Sequence, residues 1–572
     1  MFFNKLKAPP LQRITVSAFG GLDLRPRCAA GSFTNMVNLT SDGYPALQVR
    51  QRRSVAATLT APAGLTEKEA LVWVDGHTLY VGGHETGLVL TAGDKQFVSM
   101  GAYLLVFPDK KWINLRDLTQ TGSMENTVTT DGEVKLSLCR GDGTLYEDYL
   151  ASQLPPSAPE GGTLWLDLSA AVPVLRLYDE TGWVEVTDTC VLLRSSGIGI
   201  GFAAGDGVEV TGCEAEALNG IHVLRQVTED TLVMEGILSG DAEQTAAITV
   251  RRAVPDMDFV TECGNRLWGC KYGVVNGQAV NEIYASKLGD FRNWNCFQGL
   301  ATDSYAASRG SDGPFTAAAT YLGTALFFKE RCIERVYPGA GGAHQIVTLE
   351  CPGVASGSHK SVCAVDGTLF YLGRGGVYAF DGGLPVVVSQ MLGSMALQQG
   401  VAGSWEGKYY LSCRDSDGAQ HLLVYDLRRG LWHREDDLEA VGFAVWDGRL
   451  YALDRRGALW DMQGGGVEQE NLVTWMADSG DLGLDTAEHK YPLRLSLRAA
   501  PAAGAGLSAA LSYDGGRTWE FCGSLVGSGS NEALTLHIRP RRCPHVRLRL
   551  SGRGDCQVYS VSAVYEKGSD VT

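Results

Sequence analysis

The chain has 572 residues, enough for two to four domains with buried cores. Its 71 glycines and the lack of long helical periodicity predict many short strands joined by tight turns. Lys and Arg total 49 against 65 Asp and Glu, a net charge of −16, which excludes a protein that grips nucleic acid by counterion release.

Targeting and redox features are sparse. The N-terminal MFFNKLKAPPLQR has neither the apolar core nor the cleavage pattern of a signal peptide, and no run reaches the roughly 18 apolar residues of a membrane helix. Fourteen cysteines are scattered from Cys28 to Cys556 without CxxC spacing. Buried free thiols in a chain folded in a reducing cytoplasm are therefore favoured over disulfides or a zinc site.

Residues 1–55 are predicted to be extended, and to supply strands that complete the last blade of a ring described below. They contain a Tyr-Pro-x-Leu-x-x-Arg run from Tyr44 to Arg50. The basic residues Arg50, Arg52 and Arg53 are interpreted as a solvated strand end, with a phosphate or partner contact as the alternative.

A repeat begins after residue 56. It consists of an apolar strand, a tight turn such as Asp-Gly, and a second strand rich in Tyr and Leu. It recurs in seven stretches: 70–83, 96–115, 259–294, 316–338, 361–382, 403–435 and 440–462. Single blades cannot bury their faces, so the pattern predicts a β-propeller. Because the two shortest stretches are assigned to one blade, six blades are expected.

Two further β domains are predicted. Roughly 140 residues separate the second and third stretches, far more than the ~40 of one blade. Within them, 155–162 is a linker and 205–223 suggests a small SH3- or OB-like barrel. After residue 462, a Gly-rich linker precedes strands spaced as in a β-sandwich. The predicted domains are 1–55, 56–119, 120–255 (inserted β-barrel or sandwich), 256–465 and 466–572.

Residues 512–519, SYDGGRTW, resemble the Asp-box of sialidases. Asp514 is expected to cap backbone N–H groups, Gly516 to be left-handed and Trp519 to pack under the turn. A sialidase would also have three clustered arginines, a nucleophilic Tyr and several boxes. A structural turn is therefore predicted.

The other motifs do not predict catalysis. Gly199, Gly201 and Ala204 fit GxGxxA, but a turn and a strand follow where a dinucleotide site needs a helix. His77 and His84, beside Glu85, are interpreted as a surface hairpin and not a metal site. The acidic residues Asp436, Asp437, Glu468 and Glu470 are expected in solvated loops. The sequence thus predicts no catalytic, cofactor-binding or metal-binding residue, no cofactor, and a protein that is not an enzyme.

Three arginine doublets occur at 428–429, 455–456 and 541–542. The first two fall in turns of successive blades. If they occupied corresponding positions, they would form a positive collar at one end of the ring. Solubilising loop residues are the alternative.

Three segments, 31–54, 259–294 and 539–570, resemble in this order the hub, nozzle and packaged-DNA stabilisation proteins of bacteriophage tails. In residues 259–294, Gly264-Asn265 is expected to shape a hairpin. The resemblance implies a structural protein of the virion tail, assembled in the host cytoplasm.

Its expected partners follow from the same resemblance. They are copies of itself in a ring, most often a hexamer, the portal or adaptor, and fibre or spike proteins. Double-stranded DNA would pass without specific binding, and no membrane span is expected. The alternatives are a tail-tip propeller that binds or cleaves glycans at the host surface, and a cellular propeller scaffold.

Overall fold

The computed structural model describes residues 11–339, 343–482 and 488–567. The fold is all-β and of the β-propeller type, as predicted; short 3-10 turns lie at Glu216–Leu218, His359–Ser361 and Gln390–Leu392. Among these residues, no helix combines the length and apolar character needed to cross a bilayer. The chain divides into a first unit of residues 1–94, 328–333 and 349–572, and a second of 95–327 and 334–348.

Five strands precede the repeats: β1 Leu11–Val16, β2 Phe33–Val37, β3 Leu39–Thr40, β4 Leu47–Val49 and β5 Ser54–Thr58. Two four-stranded antiparallel sheets follow, β6–β9 (Pro62–Glu67, Leu71–Asp75, Thr78–Val81, His84–Val89) and β10–β13 (Gln96–Met100, Tyr103–Phe107, Lys111–Asn114, Thr121–Ser123).

The next stretch forms two sheets of different order. Its strands are β14 Asn126–Thr129, β15 Val134–Cys139, β16 Leu150–Ser152, β17 Leu164–Asp167, β18 Val174–Tyr178, β19 Trp183–Glu185, β20 Cys190–Arg194, β21 Gly207–Thr211, β22 Gly220–Thr228, β23 Thr231–Glu235, β24 Ala242–Gln244 and β25 Thr249–Arg252. One sheet runs β14-β25-β21-β22-β23-β20-β15-β24 and the other is β16-β17-β18-β19. They share a core that includes Leu166, Leu193 and Val250. Residues 205–223 contribute the β21–β22 hairpin of the larger sheet. The predicted domain boundaries stay a prediction.

The blade pattern then resumes. Its sheets are β26–β29 (Phe259–Cys263, Arg266–Val275, Gln278–Ala285, Tyr305–Ser308), β30–β33 (Phe315–Tyr321, Thr324–Lys329, Cys332–Tyr337, Gln345–Glu350), β34–β37 (Cys363–Val365, Thr368–Gly373, Gly376–Phe380, Val386–Val387), β38–β41 (Gln398–Trp405, Lys408–Arg414, Gln420–Asp426, Leu431–Arg434), and β42–β44 (Ala440–Trp446, Arg449–Asp454, Ala458–Asp461) joined by β5.

Hairpin turns set the register of these sheets. Gly264 and Asn265, with φ of 62° and 59°, turn between β26 and β27 as predicted. The pairs Asp366-Gly367, Glu406-Gly407 and Asp447-Gly448 also have positive φ, and each joins the first two strands of its sheet. Such turns match the right-handed twist of antiparallel strands.

The N-terminal strand β5 pairs with β44 and completes the last sheet, as predicted for that region. The described residues contain seven sheets of the blade pattern, whereas six were expected. The difference arises because 70–83 and 96–115 each belong to a sheet of their own. Strand β9, for example, is largely exposed and therefore carries little apolar signal in the sequence.

The C-terminal strands form the predicted sandwich. They are β45 Thr474–Ser479, β46 Lys490–Pro501, β47 Gly506–Ser512, β48 Glu520–Val526, β49 Glu532–Leu536, β50 Arg547–Arg553 and β51 Cys556–Lys567. One sheet joins β3, β4, β51, β46 and β49, with β1 beside β51, and the other runs β2-β45-β50-β47-β48. Four of the five N-terminal strands therefore belong to the sandwich. Trp475, Leu497 and Leu511 lie in its core.

Candidate functional site

A polar groove lies in the first unit, where the ends of the last two blade sheets approach the N-terminal segment. Its charged part has a volume of about 620 Å³ and is lined by Asp42, Arg50, Trp405 and Glu406, among others. Its amide part, about 750 Å³, is lined by main chain and by Gln48, Gln51, Gln463, Gln469 and Gln557. Arg50, Gln51 and Gln463 line both parts, so they form one continuous groove.

The β38–β39 hairpin supplies one wall of the charged part. Its left-handed Glu406-Gly407 turn places Trp405, Glu406 and Lys408 side by side along the groove. The indole Nε1 of Trp405 donates to the Gly448 carbonyl at 3.0 Å, which holds the ring in place. The wall therefore presents an aromatic side chain beside charged groups.

The N-terminal segment supplies the opposite wall. Lys408 Nζ, which is buried, contacts the Asp42 carboxylate and donates to Thr40 Oγ1 at 3.3 Å. Burial alone would raise the pKa of Asp42, but the Lys408 charge outweighs it and the pKa is lowered. Asp42 therefore stays ionised at neutral pH and acts as a hydrogen-bond acceptor at the groove.

A buried ion-pair network lies next to the groove. Arg53 Nη2 contacts Glu435 Oε2 at 2.7 Å, and Arg53 Nη1 contacts Asp436 Oδ2 at 2.7 Å. Arg50 Nη1 contacts Glu470 Oε2 at 2.8 Å. The prediction of a solvated strand end and solvated loops is wrong for these residues, because each charge finds an opposite charge more than 380 residues away. Glu468 and Asp437 are exposed, as expected.

The arginine doublets do not form a collar. Residues 428–429 lie between the third and fourth strands of their sheet, and 455–456 between the second and third of the next. Because antiparallel strands alternate in direction, these two turns are at opposite ends of the sheets. Arg428 and Arg429 line the groove, and Arg541 pairs with Glu520 at 2.6 Å in the sandwich.

The remaining sequence candidates lie apart from the groove. Gly199, Gly201 and Ala204 are in the loop between β20 and β21. His77 is in the β7–β8 turn, with its Nδ1 2.8 Å from the Leu90 carbonyl, and His84 is exposed in β9. No group of three or more His, Cys, Asp or Glu in the described ranges is arranged to hold a metal ion. The cysteines there are free thiols.

The Asp-box forms the turn expected of it. Asp514 Oδ1 accepts from the backbone N–H groups of Arg517 at 3.0 Å and Thr518 at 2.9 Å. Gly516 has φ of 92°, and the Trp519 ring lies against it. Hydrogen bonds from Thr518 hold the pKa of the Asp514 carboxyl well below its usual range. The motif lies in the β47–β48 hairpin of the sandwich, where its contacts are structural.

No protein-family model matches the chain, and no curated protein matches it. Solved structures resemble it distantly. They include an exo-β-1,3-galactanase from Phanerochaete chrysosporium (8% identity, 53% of this chain and 94% of that one, TM-score 0.22), the phage phi92 endosialidase (10%, 74% and 67%, 0.22), and a Trypanosoma rangeli sialidase mutant displaying trans-sialidase activity (10%, 99% and 97%, 0.22).

These comparisons correct one prediction. Glycoside hydrolases and sialidases are among the structures that the chain resembles, so the prediction that it is not an enzyme is wrong as stated. Local motifs were a poor basis for it, since the carboxylates of a glycosidase come together only in three dimensions. At such low TM-scores the likeness carries no argument about substrate or mechanism.

The sequence predicted the hairpin that carries Trp405 but not the groove. The only local signal was the Asp/Glu-Gly turn shared with neighbouring repeats. Asp42 and Arg50 reach the groove from a segment more than 350 residues earlier. No spacing rule joins residues that far apart.

Proposed function

We propose that this chain is a tail protein of a bacterial virus that recognises a glycan in the polar groove. The observation that carries the glycan assignment is the combination in one groove of the Trp405 ring with carboxylates, cations and side-chain amides. The tail assignment rests on the three segments described above.

Each group in the groove meets a need of a sugar ligand. Ionised Asp42 and Glu406 accept hydrogen bonds from hydroxyl groups, while Arg428 and the glutamine amides donate them. The face of an indole ring packs against the C–H face of a sugar. A volume of about 620 Å³ for the charged part is within the roughly 300–1,000 Å³ of ligand sites.

Replacing Trp405 with alanine is expected to weaken glycan binding about tenfold, because the apolar face for the sugar is lost. A glycan array with purified protein, followed by titration calorimetry on the best ligand, measures the change. The same incubation, assayed for new reducing ends, reports cleavage.

Trp73→Ala is the matched control. Trp73 is also a half-buried blade tryptophan, but it stacks on Tyr80 away from the groove. Equal loss in both variants, or no glycan bound by the unaltered protein, would contradict the proposal.

A structural role as a hub or nozzle subunit is the second candidate, and one observation favours it. The first and last of the three tail-like segments pair directly, with Leu47 opposite Val558 and Gln48 opposite Gln557. Two segments recognised at opposite ends of the sequence thus build one sheet. This supports a resemblance that extends over a whole folded protein and not over isolated pieces.

This role predicts a ring, expected to be a hexamer, when the chain is mixed with its adaptor or portal partners. A ring needs heterologous interfaces, since isologous pairing closes at a dimer. Mass photometry of the mixture and mass spectrometry of purified tails test it. A monomer in that mixture, together with absence from tails, would eliminate the structural role.

A further inference from the structure

A second cavity, about 420 Å³, lies in the first unit at the other end of the same blade sheets. The groove is bounded by the β38–β39 hairpin, whereas this cavity is bounded by the start of β38, the end of β39 and the start of β42. We call it the lysine cavity, after Lys360.

Three cations and two carboxylates line the lysine cavity. Lys360 Nζ is 3.3 Å from Asp94 Oδ2 and donates to the Val441 carbonyl at 3.2 Å. Arg414 Nη2 and Arg455 Nε are 2.8 and 3.1 Å from the same oxygen of Glu439. One carboxylate oxygen thus serves two guanidinium groups, and one positive charge is left over.

The two arginines also keep unused donors. In the part of the chain that the structure describes, neither terminal nitrogen of the Arg455 guanidinium has a protein partner, and Arg414 uses only Nη2. Both side chains are partly exposed toward the cavity. A guanidinium group with free terminal N–H groups matches a carboxylate geometrically.

Gln399 adds a strained position at the same cavity. Its φ is 56°, which is unfavourable for a non-glycine residue, and it lies in a bulge of β38. Strain of this kind persists where the surroundings enforce it, and it clusters at ligand sites. The bulge turns a backbone segment and its exposed amide side chain to the cavity edge.

Charge in the cavity is unfavourable as it stands. Burial lowers the pKa of Lys360, and the positive charge of Arg455 lowers it further. An anion placed between the two would reverse that effect.

We propose that the lysine cavity binds the carboxylate group of a small acidic sugar, held by Arg455, Arg414 and Lys360. The surplus of one charge fits a monoanion. The walls suit a sugar because they are formed by short or polar side chains such as Ser412, Gln420 and Val401, without an aromatic ring. This site is separate from the groove and does not depend on the function proposed for it.

Titration calorimetry with glucuronate tests the proposal, with its uncharged methyl ester as the comparison ligand. Glucuronate is expected to bind and the ester to bind at least tenfold more weakly. Arg455→Ala is expected to weaken glucuronate binding at least tenfold. The adjacent, exposed Arg456→Ala is the matched control and should bind as the unaltered protein does.

Further arms decide the alternatives. Lys360→Met should also weaken binding, and the Lys360 ammonium pKa, followed by NMR, should rise when glucuronate is added. Trp405→Ala should bind glucuronate normally, which separates this site from the groove. Equal binding of the ester, equal loss in Arg456→Ala, or tighter binding of inorganic phosphate or of a peptide C-terminus would overturn the proposal.

Discussion

Replacing Arg53 with alanine is expected to lower the free energy of unfolding by about 3–5 kcal/mol, the usual cost of breaking a buried ion pair. The Arg53 side chain is 2% exposed and contacts Glu435 and Asp436. Burial alone would lower its pKa, but the charges of Asp436 and Glu435 outweigh it and raise the pKa. Without Arg53, those carboxylates would remain largely buried with less compensation. Urea unfolding at neutral pH measures the loss.

Arg52→Ala is the control for this variant. The Arg52 guanidinium reaches only the Glu470 carbonyl oxygen, so about 1 kcal/mol is expected. Similar losses in the two variants would show that the Arg53 network does not support the fold.

Acid is expected to destabilise the protein through His433. This ring is buried, and neither nitrogen has a hydrogen-bond partner within the described residues. Burial and the nearby Lys408 charge lower its pKa to about 3, against the nearby carboxylates Asp42 and Asp426, which act in the opposite direction. The folded protein therefore keeps His433 neutral where the unfolded chain is already protonated.

The sign and size follow from that difference. Below an unfolded pKa of about 6.5, the unfolded chain binds a proton that the folded state refuses, so stability falls as pH falls. The loss is roughly 1.4 kcal/mol per pH unit, or about 4 kcal/mol by three units lower. His433→Leu should remove this part of the pH dependence, measured by urea unfolding across the acid range.

Other groups contribute to acid unfolding as well. The pKa values of Asp436 and Glu470 are lowered, because their arginine partners outweigh burial. Their stabilisation is present above the unfolded carboxyl pKa and is lost as pH falls through the folded one. These carboxyls are common to both proteins, so the difference isolates His433. Exposed His489→Leu is the control, and equal slopes for His433→Leu and the unaltered protein would contradict the prediction.

Much of the blade architecture was predictable because it rests on local pairing. The Gly264-Asn265 and Asp-Gly turns join neighbouring strands, and inner strands such as β35 are buried and apolar. The number of sheets was not predictable in the same way. Outer strands such as β9 face solvent, and their residues need not be apolar.

The sequence by itself determined the all-β class, the repeating hairpins, the inserted stretch and the sandwich, since each depends on turns and alternation within tens of residues. Tertiary structure decided where the charges go. Arg53 is buried because Glu435 and Asp436 meet it across more than 380 residues, and Leu11 pairs with Glu566 at the far end of the chain. The groove and the lysine cavity arise in the same way, from side chains that only the packed sheets bring together.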